Sequence, residues 1–140
     1  MSEENKALGR RAIEEVYSGR NPDAADEIYS PDFVDHDPAA PEEMRHGPDG
    51  IKQQAAMYQG AFSDLQLSVE TQLAEGDLAA TRWSARGKHT GELMGVPPSG
   101  NQVSITGITI GRIADGKIAE EWTNWDGLGL MQQIGAIPAE

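Results

Sequence analysis

A hairpin close to the C-terminus is the stretch that most narrows what this chain can become. Val103, Ile105, Ile108, Ile110 and Ile113 make a β-branched run free of proline, the local mark of a mostly buried strand. Asp115-Gly116 follows, and because both residues tolerate positive φ the pair predicts a tight two-residue turn. The chain returns through residues 117–125. Asp126 then precedes a helix over residues 127–134, with Gly135 placed for a left-handed C-terminal cap. Trp122, Trp125, Glu120, Glu121 and Asp126 therefore crowd together where a strand gives way to a helix, which is where a site is expected.

The preceding residues supply helices first and strands second. Leu8, Ala12 and Val16, with Ile13 and Tyr17 beside them, form one apolar helical face that ends at Gly19. Asn21 and Pro22 suit the N-cap and first turn of a short helix through Ala25 and Ile28, and Ser30-Pro31-Asp32 reads as a break. A short extended piece over residues 33–38 and a proline-containing acidic loop over 39–45 lead to a helix introduced by residues 46–50. Its apolar face carries Ile51, Ala55, Tyr58 and Phe62, and Ser63-Asp64 closes it. Residues 65–70 alternate apolar with polar, and residues 75–77 form a turn. Residues 78–89 read as a long strand whose core face holds Ala79, Thr81, Trp83, Ala85 and His89. Arg82, Arg86 and Lys88 share the opposite parity, toward solvent or a subunit interface. A glycine- and proline-dense loop over 91–100 delivers the chain into the hairpin.

Helices at the front and an antiparallel meander behind them predict a single α+β domain over residues 1–140, with the N-terminal helices on the concave face of a curved, mostly antiparallel sheet. Long strands joined by short turns exclude a doubly wound α/β fold. The end of the cone that such a sheet and its helices enclose is a natural small-molecule pocket. A formal net charge of −12 and a pI near 4.5 argue against nucleic acid or an anionic membrane as partner. The chain has no cysteine, so a thiol nucleophile, a thiolate metal site and a disulfide framework are all excluded. With no basic leader and no apolar stretch approaching a membrane span, a soluble cytoplasmic protein is expected.

Residues 33–38 (Phe-Val-Asp-His-Asp-Pro), residues 87–100, residues 115–122 followed by Asp126, and residues 129–135 together resemble the SnoaL-like polyketide cyclases, or ester cyclases, of the NTF2-like superfamily. The resemblance spans nearly the whole chain. It implies an NTF2-like cone-shaped barrel, a homodimer, and cofactor-independent general acid–base chemistry on a small, largely apolar carbonyl compound. In such an aldol-type cyclisation, a pocket carboxylate removes a proton next to a carbonyl while nearby donors hold the enolate. The same scaffold also serves as a non-catalytic module that binds a small ligand, or as an assembly domain, and those alternatives stay open at the level of sequence.

Anchored on residues 115–118, the resemblance puts the family's catalytic aspartate at Thr123 and its partner histidine at Thr109, neither of which titrates usefully. Asp126 is the nearest acid and becomes the candidate base, although aspartate before a helix is also a favoured N-cap. His36, between two aspartates, and His89, on the Trp83 face of its strand, are the candidate donors or partners. His36, Asp37 and His89 match no short metal-ligand pattern, so no metal is assigned. His46 reads as an exposed loop residue. Trp83, Trp122, Tyr17, Met57 and Tyr58, core-forming first, are the candidate ligand-lining residues, together with Glu121. Glu120 and Glu121 point to opposite faces, so one of them is expected to be buried, where an unpaired charge is costly and suggestive.

Overall fold

One sheet of five strands, in the order β1-β5-β4-β3-β2, frames the molecule. The structure is a computed structural model that describes residues 2–19 and 21–138. In chain order it runs α1 (Ser2–Arg11), which widens into a π-helix over Ala12–Ser18, a short α2 (Ala25–Ile28), β1 (Tyr29–Asp35), α3 (Gly47–Ala61), β2 (Phe62–Glu75), β3 (Leu78–His89), β4 (Gln102–Ala114), β5 (Lys117–Trp125) and α4 (Gly127–Gln133). Strands β2 to β5 pair antiparallel as a meander, and β1 adds to the edge of β5 in parallel. Among the described residues no helix is long and apolar enough to cross a membrane.

The turn residues do what their chemistry allows. Asp115 and Gly116 adopt φ of 53° and 76°, the two positive angles that a two-residue hairpin of this twist requires. Phe62 caps α3 in extended conformation, donating its N–H to the Tyr58 carbonyl, and begins β2 with no connecting loop. The stop expected at Ser63-Asp64 is instead a bulge inside β2, with Asp64 at φ 53°. Ser30-Pro31-Asp32 does not break the chain either. It lies within β1, an edge strand whose register shifts between Tyr29 and Val34, which is where a strand tolerates proline.

The helices pack on the sheet face that carries the odd-numbered residues of β3. Val16, Ile28, Tyr29, Phe33 and Ile51 are fully buried in one cluster beneath α1 and α3, each contributing about 1.5–3 kcal/mol through burial. A second cluster of Phe62, Leu65, Leu93, Val103, Leu130 and Ile134 closes the other end under α4. Strand β4 corrects the expectation of a mostly buried run. Val103 faces inward, but Ile108 and Ile110 are 48% and 38% exposed, because only its odd-numbered positions face the helices. Two of those inward positions are Gly107 and Gly111. A Cβ on Gly107 would overlap the Trp83 ring and the Trp125 side chain, so this glycine makes room for two tryptophans.

Candidate active site

Between the helices and the concave sheet face lies a cavity of about 120 Å³. Its walls are mostly apolar: Leu65, Leu67 and Ala85 from β2 and β3, and the rings of Trp83, Trp125, Tyr17 and Tyr58. Tyr58 and Trp125 meet edge to face at 6.4 Å. Into this lining project three carboxylates, Asp35, Asp37 and Glu121. Strand geometry brings them together. Asp35 is the register partner of Glu121 across the β1–β5 pair, and the His36 amide donates to the Glu121 carbonyl at 2.8 Å, so Asp35 and Asp37 both face inward beside Glu121.

The three acids are held differently. Asp35 accepts from the Gln54 amide at 2.8 Å through one oxygen and from the Asp37 backbone N–H at 2.9 Å through the other. Gln54 also donates to the Met44 carbonyl at 2.9 Å, which locks α3 to the loop preceding it. Asp37 accepts from the Ala39 amide at 2.8 Å. Burial pushes its pKa up, the Ala39 amide pulls it down, the nearby Asp35 pushes it up again, and the Trp125 indole and Arg45 draw it back. Glu121 is only 6% exposed and lines the cavity beside the two aspartates. Burial above all, and then the charges of Asp35 and Asp37, hold its pKa well above the ordinary glutamate value of 4.5. The Tyr29 hydroxyl, buried at the same cavity, has no hydrogen-bond partner among the described residues. This is the arrangement that chemistry asks of a general base: one desolvated carboxylate with a raised proton affinity in an apolar chamber.

The structure distributes the expected site residues on two sides of the sheet. Trp83, Tyr17, Tyr58 and Glu121 line the cavity. Asp126 does not. Its carboxylate accepts from the Gly129 amide at 2.9 Å as the N-cap of α4, away from the cavity lining. His36 is exposed on the outer face, where its ring stacks on Trp122 at 5.2 Å and its Nε2 meets Glu120 at 2.8 Å. Trp122 goes with it, 39% exposed, because β5 carries a bulge between Ile118 and Glu120 that turns Glu121 and Thr123 inward and Trp122 outward. His89 is inward and fully buried, but its Nδ1 accepts from the Ser99 amide at 3.1 Å, its ring lies 5.5 Å from that of Phe62, and it stays outside the cavity lining. Met57 packs against the cluster under α4 rather than against the cavity.

The lining also includes Asp35, Asp37, Gln54, Tyr29, Trp125, Thr109 and Thr123, which lie outside the expected ligand-lining set. The alternation of residues 33–38 held the signal for the two aspartates, since a strand that turns His36 outward must turn both of its neighbours inward. Among the described residues, no three His, Asp or Glu side chains gather as a metal ion would need, and His36, Asp37 and His89 are not brought together.

Residues 7–134 match the family model of the SnoaL-like polyketide cyclases. The chain is 31% identical over 133 residues to aklanonic acid methyl ester cyclase DnrD of Streptomyces peucetius, covering 91% of this chain and 88% of the relative. It is 31% identical over 122 residues to nogalonic acid methyl ester cyclase of Streptomyces nogalater, covering 84% and 87%. Among solved structures, TsrD from Streptomyces laurentii superposes with a TM-score of 0.86 at 28% identity, covering 96% of this chain and 97% of that one. The family match, the curated relatives and the superposition together show that the chain belongs to the SnoaL-like polyketide cyclases, on an NTF2-like α+β fold.

Proposed function

We propose that this protein is a cyclase-type enzyme that closes a ring in a polyketide methyl ester by cofactor-independent general acid–base chemistry, with Glu121 as the base. The carrying observation is Glu121 itself, a desolvated carboxylate facing an apolar cavity beside two further acids. Glu121 takes the proton from the carbon between two activating groups, the enolate carbon attacks a second carbonyl within the same molecule, and the proton returns to the new alkoxide. One carbon–carbon bond forms, and the product is an isomer of the substrate. Asp35 and Asp37 keep the proton affinity of Glu121 high, and the aromatic walls hold a flat, apolar substrate while keeping water out. The names of the relatives supply the probes, aklanonic acid methyl ester and nogalonic acid methyl ester. Incubation with each, followed by chromatography and mass spectrometry, should give a new species of unchanged mass that Glu121→Gln fails to form. Binding without conversion would make the chain a ligand-binding module and overturn the proposal.

We infer also that a second copy of the chain covers the outer sheet face. Leu73, Ala80, Ile110 and Trp122 lie there in one row of register partners, with Leu73, Ile110 and Trp122 exposed. Light scattering should give the mass of a dimer, and Ile110→Glu should give that of a monomer.

A further inference from the structure

We propose that Trp83, Thr109 and Thr123 form a one-way donor chain, whose last hydroxyl hydrogen binds the substrate carbonyl oxygen and holds it as it becomes an enolate oxygen. This rests on the cyclase-type function proposed above and adds the group that receives the negative charge.

The chain is set up by register. Thr109 and Thr123 sit directly opposite each other on β4 and β5, both facing inward, and their hydroxyl oxygens are 2.9 Å apart. Trp83 pairs with Gly107, two residues before Thr109, and its ring occupies the space that the glycine leaves. From there the Trp83 indole N–H donates to the Thr109 hydroxyl at 3.1 Å. Both threonines line the cavity.

Counting hydrogens fixes the first link of the chain. An indole N–H can only donate, so the Thr109 oxygen accepts from Trp83. The contact between the two hydroxyls uses one more hydrogen. Of the three polar hydrogens in the trio, one remains, and neither hydroxyl has another partner among the described residues. Successive donation strengthens each link, which favours Trp83 to Thr109 to Thr123 and leaves the free hydrogen on Thr123. That hydrogen belongs to a group that carries no charge and cannot take the proton that Glu121 must take. Glu121 and Thr123 are two residues apart on the same face of β5, a spacing of about 7 Å. A base and a donor at that separation can flank a single enolisable carbonyl unit. Burial in an apolar chamber makes such a neutral donor more effective than the same hydroxyl in water.

The test uses Thr123→Val, which keeps shape and removes the hydroxyl, and Thr123→Ser, which restores it. With aklanonic acid methyl ester as probe, Thr123→Val should lower kcat roughly 10²- to 10³-fold with KM within a few-fold, and Thr123→Ser should recover most of the loss. Thr109→Val removes the middle of the chain but keeps the last hydroxyl, so its loss should be smaller. Thr123→Val at wild-type kcat would overturn the donor chain even while an inactive Glu121→Gln upheld the acid–base function. Should the wild-type protein convert no ester, the acid–base function fails, and the chain is judged separately by the infrared carbonyl stretch of bound 9,10-anthraquinone. That band should lie lower in the wild type and Thr123→Ser than in Thr123→Val. An equal frequency in all three, or no bound carbonyl band in the wild type, would overturn it. If Thr123→Val fails to fold, as judged by thermal melting, Thr109→Val carries the infrared comparison, with a band intermediate between the wild type and the free probe expected.

Discussion

Glu120 and Glu121 are neighbours on one strand, yet the two faces of the sheet treat them oppositely. On the outer face, Glu120 accepts from Arg112 Nε at 2.7 Å and meets His36 Nε2 at 2.8 Å, and those partners, Arg112 first, hold its pKa below the ordinary value. On the inner face, Glu121 faces two more acids, and burial above all holds its pKa well above that value. A single peptide step thus separates a solvated, paired carboxylate from one whose charge is resisted. The lesson concerns surroundings: the same side chain is structural where it is compensated and chemically useful where it is not.

The largest expected effect tests this contrast in activity. Glu121→Gln should lower kcat on a convertible methyl ester by roughly 10²- to 10⁴-fold, the range for losing a general base, while Glu120→Gln leaves it unchanged. Steady-state kinetics of the pair decides, and equal losses would erase the contrast.

The second effect concerns stability against pH. Because the folded-state pKa of Glu121 is raised, the folded protein holds a proton that the unfolded chain has released once pH exceeds about 4.5. Its contribution to stability is therefore fully present below pH 4.5 and is lost as pH rises through the folded value. Glutamine, which stays neutral, escapes that loss. Urea unfolding should find Glu121→Gln increasingly more stable than wild type as pH climbs from 4.5 to 8, with the difference vanishing at the acid end. Glu120 has the opposite sign, with stability present above its unfolded value and lost as pH falls.

Gln54→Ala comes next. It leaves the buried Asp35 without its side-chain donor, at about 1–3 kcal/mol in chemical denaturation. Asp126→Ala should be smaller, about 1 kcal/mol for a lost N-cap, with kcat unaltered because the carboxylate serves α4 and not the cavity. Smallest is the stability loss in Glu120→Gln, which should fade in about 1 M salt as the exposed ion pair is screened.

Much of the fold was legible because its signals are local. Residues 78–89 alternate cleanly, and β3 spans Leu78–His89; Asp115-Gly116 carries its own turn chemistry, and β4 and β5 meet there. Places where chain context overrides local preference were not legible. Pro31 inside β1 reads as a break until the strand is known to lie at an edge, and Phe62 reads as helical although it opens β2. The site was legible only in part, and for a sharper reason. Trp83, Tyr17 and Tyr58 sit on well-marked faces, whereas strand alternation says only that one of Glu120 and Glu121 is buried. His36 was favoured over Asp35 and Asp37, but one residue of register separates the two faces of a strand, and only the pairing of β1 with β5 fixes which face looks inward. The bulge in β5 sent Trp122 outward in the same way. Asp126 satisfied two motifs at once, and the backbone amide of Gly129 decided between them.

The most direct test of the central claim is a titration of the glutamate side-chain carboxyls, labelled with carbon-13 and followed by NMR from acid to alkaline pH, with Glu121→Gln and Glu120→Gln assigning the two signals. Glu121 should titrate well above 4.5 and Glu120 below it. A Glu121 signal that titrates at or below 4.5 would show a solvated or compensated carboxylate, and the base assigned to this cavity would be the wrong one.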